Sequence, residues 1–157
     1  MTYAIQILAA FFGSMGFSLI YNTRRTKMLI SALGGAIGWG VYLLVTNFIS
    51  DSVPLAYFIA AMCITVYAEI FARIKKTPTT TFLVVGIIPM IPGSALYYTM
   101  NYAFQNDLQS FFDTGVYTLK AALSLAVGII VVSTAVHLAT AGIRMIKKRT
   151  NNNITEE

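Results

Sequence analysis

Long apolar runs alternate with short polar breaks along the whole chain. The first run covers about 2–21 and stops at Asn22-Thr-Arg-Arg-Thr-Lys27. The second, about 28–49, stops at Ser50-Asp-Ser-Val-Pro54. The third, about 53–74, runs into Lys75-Lys-Thr-Pro-Thr79. The fourth covers about 79–104, and a polar stretch from Gln105 to Thr114 follows it. The fifth, about 115–145, ends in Arg144-Met-Ile-Lys-Lys-Arg149. Each run meets the ~20 residues that a helix needs to cross a hydrocarbon core. The pattern predicts an all-α polytopic membrane protein with a five-helix transmembrane domain, 1–149. A polar cytoplasmic tail, 150–157, follows and is expected to be disordered.

The fourth run differs from the others. Near its middle stands Gly86-Ile-Ile-Pro-Met-Ile-Pro-Gly-Ser94. Pro89 and Pro92 have no N–H to give to a helical ladder, and Gly93 tolerates backbone angles that other residues avoid. The helix should break at this Pro-x-x-Pro-Gly motif, with carbonyls free before the break and amides free after it. Such a break is tolerated at membrane depth only where protein or a water-filled cavity covers it. Discontinuous helices of this kind hold the substrate in many secondary transporters. A kink that only shapes packing is the other reading.

Composition narrows the class. Hydrophobic residues make up 57% of the chain and charged residues 11%, with a mean hydropathy of +0.70, where a soluble domain has roughly a quarter charged. The net charge of +5 does not mark a nucleic-acid binder, because the basic residues flank apolar runs. Five crossings put Arg24, Arg25, Lys27, Arg73, Lys75, Lys76, Arg144, Lys147, Lys148 and Arg149 on one side. Lys120 alone falls on the other, with Asp51, Asp107 and Asp113. By the positive-inside rule the N-terminus is outside and the C-terminus cytoplasmic. Residues 1–21 lack a basic leader and a convincing cleavage site, and read as the first span. The single cysteine, Cys63, permits no internal disulfide and no cysteine-based metal cluster.

Within the spans, small residues mark packing faces. Ala10, Ser14 and Ser18 recur every four residues beside Gly13 and Gly16. Gly34 and Gly38 form a GxxxG pair, which serves either a static contact or one that moves. Trp39 lies near mid-segment and faces a groove as readily as lipid. Thr77 is a candidate cap before a helix start at Pro78. Glu69 is the only acidic residue inside an apolar run and has two readings: an interfacial pair with Arg73 four residues on, or a substrate- or proton-linked role. His137 is either a packing residue near the inner end or a proton relay. Lys120 either snorkels to the outer interface or supplies positive charge to an anion. Tyr97, Tyr98 and Tyr102 form an outer aromatic belt or line a path. An amide-rich helix start near Gly93, with the Ser94 hydroxyl and Tyr97 one turn on, can hold a carboxylate without a buried cation. No HExxH, paired-cysteine or phosphate-loop motif is present, so neither an enzyme nor a cofactor or metal site is expected.

Taken together, several stretches resemble the small-subunit half of the threonine/serine exporter family. They are Phe12-Gly-Ser-Met-Gly-Phe17 with Asn22, the glycines from Gly34 to Trp39, Ala68-Glu-Ile-Phe-Ala-Arg73 with Pro78, and Gly86 to Gly93 with Tyr97 and Met100. The resemblance reaches to about residue 145. It implies a secondary exporter built from two five-helix halves, fused or as separate subunits. This chain would be a multi-pass protein of the bacterial cytoplasmic (inner) membrane with a larger membrane subunit as partner. The implied cargo is small amino acids or small carboxylates such as succinate. On this reading Pro89, Pro92, Gly93, Ser94, Tyr97, Glu69 and Asn22 line the substrate and ion pathway. A structural subunit without a site of its own, and a homo-oligomeric channel packed through GxxxG faces, are the competing expectations.

Overall fold

The computed structural model describes residues 2–23, 26–49 and 52–155, with side chains as far as residue 142. Arg24, Arg25, Asp51 and the side chains of the last basic cluster lie outside the described residues. Six α-helices account for nearly all of it: α1 (Thr2–Ile20), α2 (Thr26–Phe48), α3 (Val53–Lys75), α4 (Thr80–Ile87), α5 (Gly93–Phe104) and α6 (Leu108–Thr155). Four of them are long and apolar enough to cross a membrane singly, and the bent pair 80–90 plus 93–104 passes the same test together, as a fifth candidate.

Contacts at several levels fix how the helices run. Tyr3 donates to Asn47 at one end of α1 and α2, and Gly35 faces Ser14 nearer the other, so these two are antiparallel. Gly34 meets Tyr67, Gly38 meets Ile64 and Tyr42 meets Tyr57, so α3 is antiparallel to α2. Ser31 reaches the Thr81 carbonyl and Gly86 lies on Gly34 and Gly35, so α4 runs parallel to α2. Gly128 packs on Phe58, Ala61 and Met62, while Thr140 bonds Arg73, so α6 runs parallel to α3. The chain therefore runs along the bundle five times, and the broken segment continues from one end toward the other instead of turning back.

Lipid tails are as apolar as leucine, so close fit and not the hydrophobic effect holds such helices together. The core is accordingly small: Ala32, Ala56, Ala60, Ala61, Ala68 and Ala121 are fully buried, around Ile64, Met90 and Phe82. Two hydroxyls inside the bundle bond to backbone carbonyls. Thr65 donates to the Ala61 carbonyl (2.7 Å), and Tyr67 crosses to the Ile30 carbonyl of α2 (2.8 Å). Gly34 permits that crossing, because a Cβ there would sit 3.0 Å from the Tyr67 ring.

Three helices end in one device. Asn22, Lys76 and Asn106 have φ of 52°, 49° and 57°. In each case the next residue's amide reaches back to a carbonyl five residues earlier: Thr23 to Ser18, Thr77 to Ala72, and Asp107 to Tyr102. This is the Schellman pattern with a left-handed residue, and asparagine accepts that conformation more readily than most residues. Asn22 thus has a backbone role at the end of α1.

Four expectations are corrected. The last helix begins at Leu108, not near 115, because Asp107 caps it: the Ser110 amide donates to Asp107 Oδ1 (3.2 Å). It also stays helical through Thr155, so the tail from 150 is not disordered over that stretch; no Gly or Pro after Gly142 interrupts the ladder. Helix α4 starts at Thr80 with Thr79 at its cap, and the Thr77 hydroxyl is buried without a partner. Gly13 and Gly16 lie on the exposed side of α1 with nothing within 4 Å of an added Cβ; the packed face is Ala10, Ser14 and Ser18.

The Ser110 hydroxyl and then its amide hold the Asp107 carboxyl below its ordinary range. A carboxylate whose pKa falls on folding adds stability at neutral pH and loses it as pH drops through the folded pKa. Asp107→Ala is expected to fray the first turn of α6, read as faster amide exchange at Gln109 to Phe111. The wild type should approach the variant's exchange pattern only in strong acid.

Candidate functional site

The break sits where the sequence places it, and its geometry can be followed bond by bond. Helix α4 tightens into a single 3-10 turn over Ile88–Met90. The Ile88 amide turns back to the Val85 carbonyl, and the Ile91 amide to Ile88 (3.1 Å). These shorter bonds recover carbonyls to which Pro89 and Pro92 have no proton to give. The chain then bends by 53°. Pro92 caps α5, and the first ladder bond of α5 runs from the Leu96 amide to the Pro92 carbonyl (3.0 Å). The Gly93 amide folds back on the Ile91 carbonyl (2.7 Å). The Ser94 and Ala95 amides precede the ladder at the positive end of the α5 dipole.

The two sides of the break differ sharply. On the α4 side, Met90 is fully buried and Pro89 presses into a three-way junction. An added Cβ on Gly35 would lie 3.3 Å from Pro89 Cγ and would overlap the Ser14 hydroxyl. Gly86 passes close to α2: an added Cβ there would lie 3.6–3.7 Å from the Gly34 and Gly35 backbone and 3.2 Å from Ile64 Cγ2, which would have to give way. Ser14 and Ser18 are fully buried, and their hydroxyls have no partner. On the α5 side the chain is open. Gly93 and Ser94 are exposed, a Cβ on Gly93 meets nothing within 4 Å, and Tyr97 is 67% exposed. Pro89 and Pro92 thus face inward and sideways, while Gly93, Ser94 and Tyr97 form an uncovered helix start.

Glu69 and Asn22 are not at the break. Asn22 ends α1 at the basic end. Glu69 lies on α3, its side chain only 12% exposed, with Arg73 Nε at 3.9 Å. Arg73 also donates to the Thr140 hydroxyl on α6 (2.8 Å). Glu69, Arg73, His137 and Thr140 line one cavity of about 470 Å³. The fold therefore brings His137 and the acidic residue to one cavity, a juxtaposition with no sign in the local sequence. Trp39 packs between α1 and the core, donating from Nε1 to Gln6 (3.3 Å). Its neighbour Tyr42 stacks on Tyr57 (4.9 Å between centroids), and Tyr117 of α6 joins that pair. Among the described residues no group of three or more His, Cys, Asp or Glu is placed to hold a metal ion.

The profile described as "Threonine/Serine exporter, ThrE" matches residues 6–135, from the first turns of α1 to within α6. The chain belongs to the threonine/serine exporter family. No solved structure gives a significant match. This exporter-family chain is a multi-pass membrane protein, and the matched region contains the broken segment, the Ser14–Gly35–Pro89 junction and Glu69. His137 lies just beyond it.

The sequence marks Ser31 and Gly35, four residues apart, as a small-residue strip beside the Gly34–Gly38 pair. The fold adds that Gly35 meets both α1, at Ser14, and the break, at Pro89.

Proposed function

We propose that this chain is one membrane subunit of a secondary exporter of threonine, serine or small carboxylates such as succinate. It works beside a larger membrane subunit in the bacterial cytoplasmic membrane, with the basic end facing the cytoplasm. The observation that carries this reading is the uncovered start of α5. A helix terminus with unpartnered amides, lying between the two membrane ends, needs protein or a water-filled path over it. A partner half supplies both, and the Ser94 and Ala95 amides then meet the substrate carboxylate at the positive end of a helix dipole. Ser94 adds a hydroxyl, and Tyr97 flanks the path. Glu69 is the coupling group of the basic end, with Arg73 and His137 as its ionisable neighbours; no nucleotide-binding motif is present, so an ion gradient, taken as protons, drives export.

The decisive experiment is counterflow of labelled threonine, serine and succinate in proteoliposomes, with this chain alone and with its candidate partner. Activity only in the pair supports the split exporter. In that pair Ser94→Ala is expected to raise KM about tenfold, the worth of one hydrogen bond to a charged group. Unchanged KM with impaired complex recovery would favour a structural subunit. Activity of the chain alone would favour a second copy as the cover, since the same open face can be closed by a homo-oligomer.

A further inference from the structure

The end of the molecule away from the basic cluster holds a second polar site. There α6 passes the start of α3, and the two enclose a cavity of about 620 Å³, within the ~300–1,000 Å³ of small-molecule sites. Asp113, Lys120, Tyr117 and Ser52 give its polar lining, with Phe112 and Pro54 on the apolar side. Asp113 and Lys120 are seven residues apart on one helix. Seven residues make almost two turns, so both fall on one face about 10.5 Å apart along the axis. Helical side chains lean toward the N-terminus, so the long lysine reaches back toward the aspartate while the short carboxylate stays near its own turn. Both residues are exposed, and the one ion pair among the described residues is Glu69–Arg73. One cavity therefore presents a cation and an anion that are not spent on each other, beside an aromatic ring.

A small ligand carrying both charges fits that lining. We propose that this cavity binds zwitterionic α-amino acids, with Lys120 taking the carboxylate and Asp113 the ammonium. The site's place in transport rests on the exporter reading; the binding itself does not. Asp113 repels the second carboxylate of a dicarboxylate, so the site favours amino acids over succinate. A phosphatidylethanolamine headgroup carries the same pair of charges, and the experiment separates the two sources.

The test is equilibrium binding of radiolabelled L-threonine to the full-length chain in nanodiscs of phosphatidylcholine and phosphatidylglycerol. Saturable binding is expected, weakened about tenfold or more by Lys120→Met or by Asp113→Asn. The double variant D113K/K120D keeps both charges and should recover part of the loss, which a merely structural role would not allow. Asp113→Asn should also narrow the preference for threonine over succinate, whereas Lys120→Met should weaken both. Both side chains are exposed, so elution profile and helicity should match the wild type in every variant. No saturable binding by the wild type, or unchanged affinity in both single variants, overturns the proposal. Either result leaves the exporter reading standing, because counterflow with the partner judges that separately. Exchange of phosphatidylcholine for phosphatidylethanolamine should leave threonine affinity unchanged. Displacement of threonine by that lipid reassigns the cavity to a headgroup and overturns the amino-acid assignment.

Discussion

Gly128→Leu is expected to unseat α6 from α3 and leave no stable folded chain. Gly128 is a point of close approach between these two parallel helices. An added Cβ would lie 2.8 Å from Ala61 Cβ and 2.8 Å from the Phe58 carbonyl oxygen, with the Met62 amide at 3.4 Å. Two of these three neighbours are backbone, so no rotamer change relieves the overlap and the helices must separate. Even Gly128→Ala should cost about 1–3 kcal/mol, the usual penalty for overpacking a tight core. Leucine multiplies the overlap and also opens the core around Ala121 and Leu125. The measurement is the fraction of monodisperse protein recovered after mild detergent extraction, with the thermal midpoint of whatever survives. Gly13→Ala and Gly16→Ala are the controls. With nothing near either position, they should be neutral in the isolated chain or slightly stabilising, because alanine is the better helix former by about 1 kcal/mol. Normal recovery of Gly128→Leu would show that α6 is not held at this crossing. A fall in complex recovery caused only by Gly13 or Gly16 variants would place the partner on that bare face of α1.

Glu69→Gln should abolish the pH dependence of transport while leaving the fold intact. The stability side rests on geometry. Arg73 is 3.9 Å away with its side chain 57% exposed, so the ion pair is long and partly solvated, and such pairs contribute about 0–1 kcal/mol. Arg73 keeps its bond to Thr140 when the carboxylate is gone, which preserves the tie between α3 and α6. The functional side rests on position. An acidic side chain only 12% exposed, in an otherwise apolar helix and beside a cavity it shares with His137, is where a transported proton can be held. Glutamine keeps the shape and removes the titration. The measurement is counterflow against pH for the wild type and variant in the reconstituted complex. A variant that transports normally and responds normally to pH removes Glu69 from the mechanism.

The Pro-Gly break shows how far the sequence can be read. Pro89 and Pro92 cannot donate whatever surrounds them, so the interruption is legible from two residue types. Its two-sidedness is not legible, because nothing local distinguishes Met90, fully buried, from Ser94, exposed four residues later. That depends on α4 lying against α2 and α3 while α5 swings over to α6. Asn22 teaches the converse. The family resemblance implies a pathway role for it, while its positive φ and the bonds around it place it in a helix-ending turn.

By itself the sequence determined the class, the candidate spans and the location of the break. These follow from run length, from missing amide protons and from the spacing of charges, all properties of consecutive residues. Tertiary structure decided the rest. It chose Gly35, Gly86 and Gly128 as the glycines on which helices touch and left Gly13 and Gly16 bare. It also drew Glu69 and His137 to one cavity at the basic end and set Asp113 and Lys120 in another at the far end. The physical reason is that packing depends on which face of each helix meets which neighbour. In an apolar bilayer that choice is made by steric fit between segments far apart in the chain, and no local pattern records it.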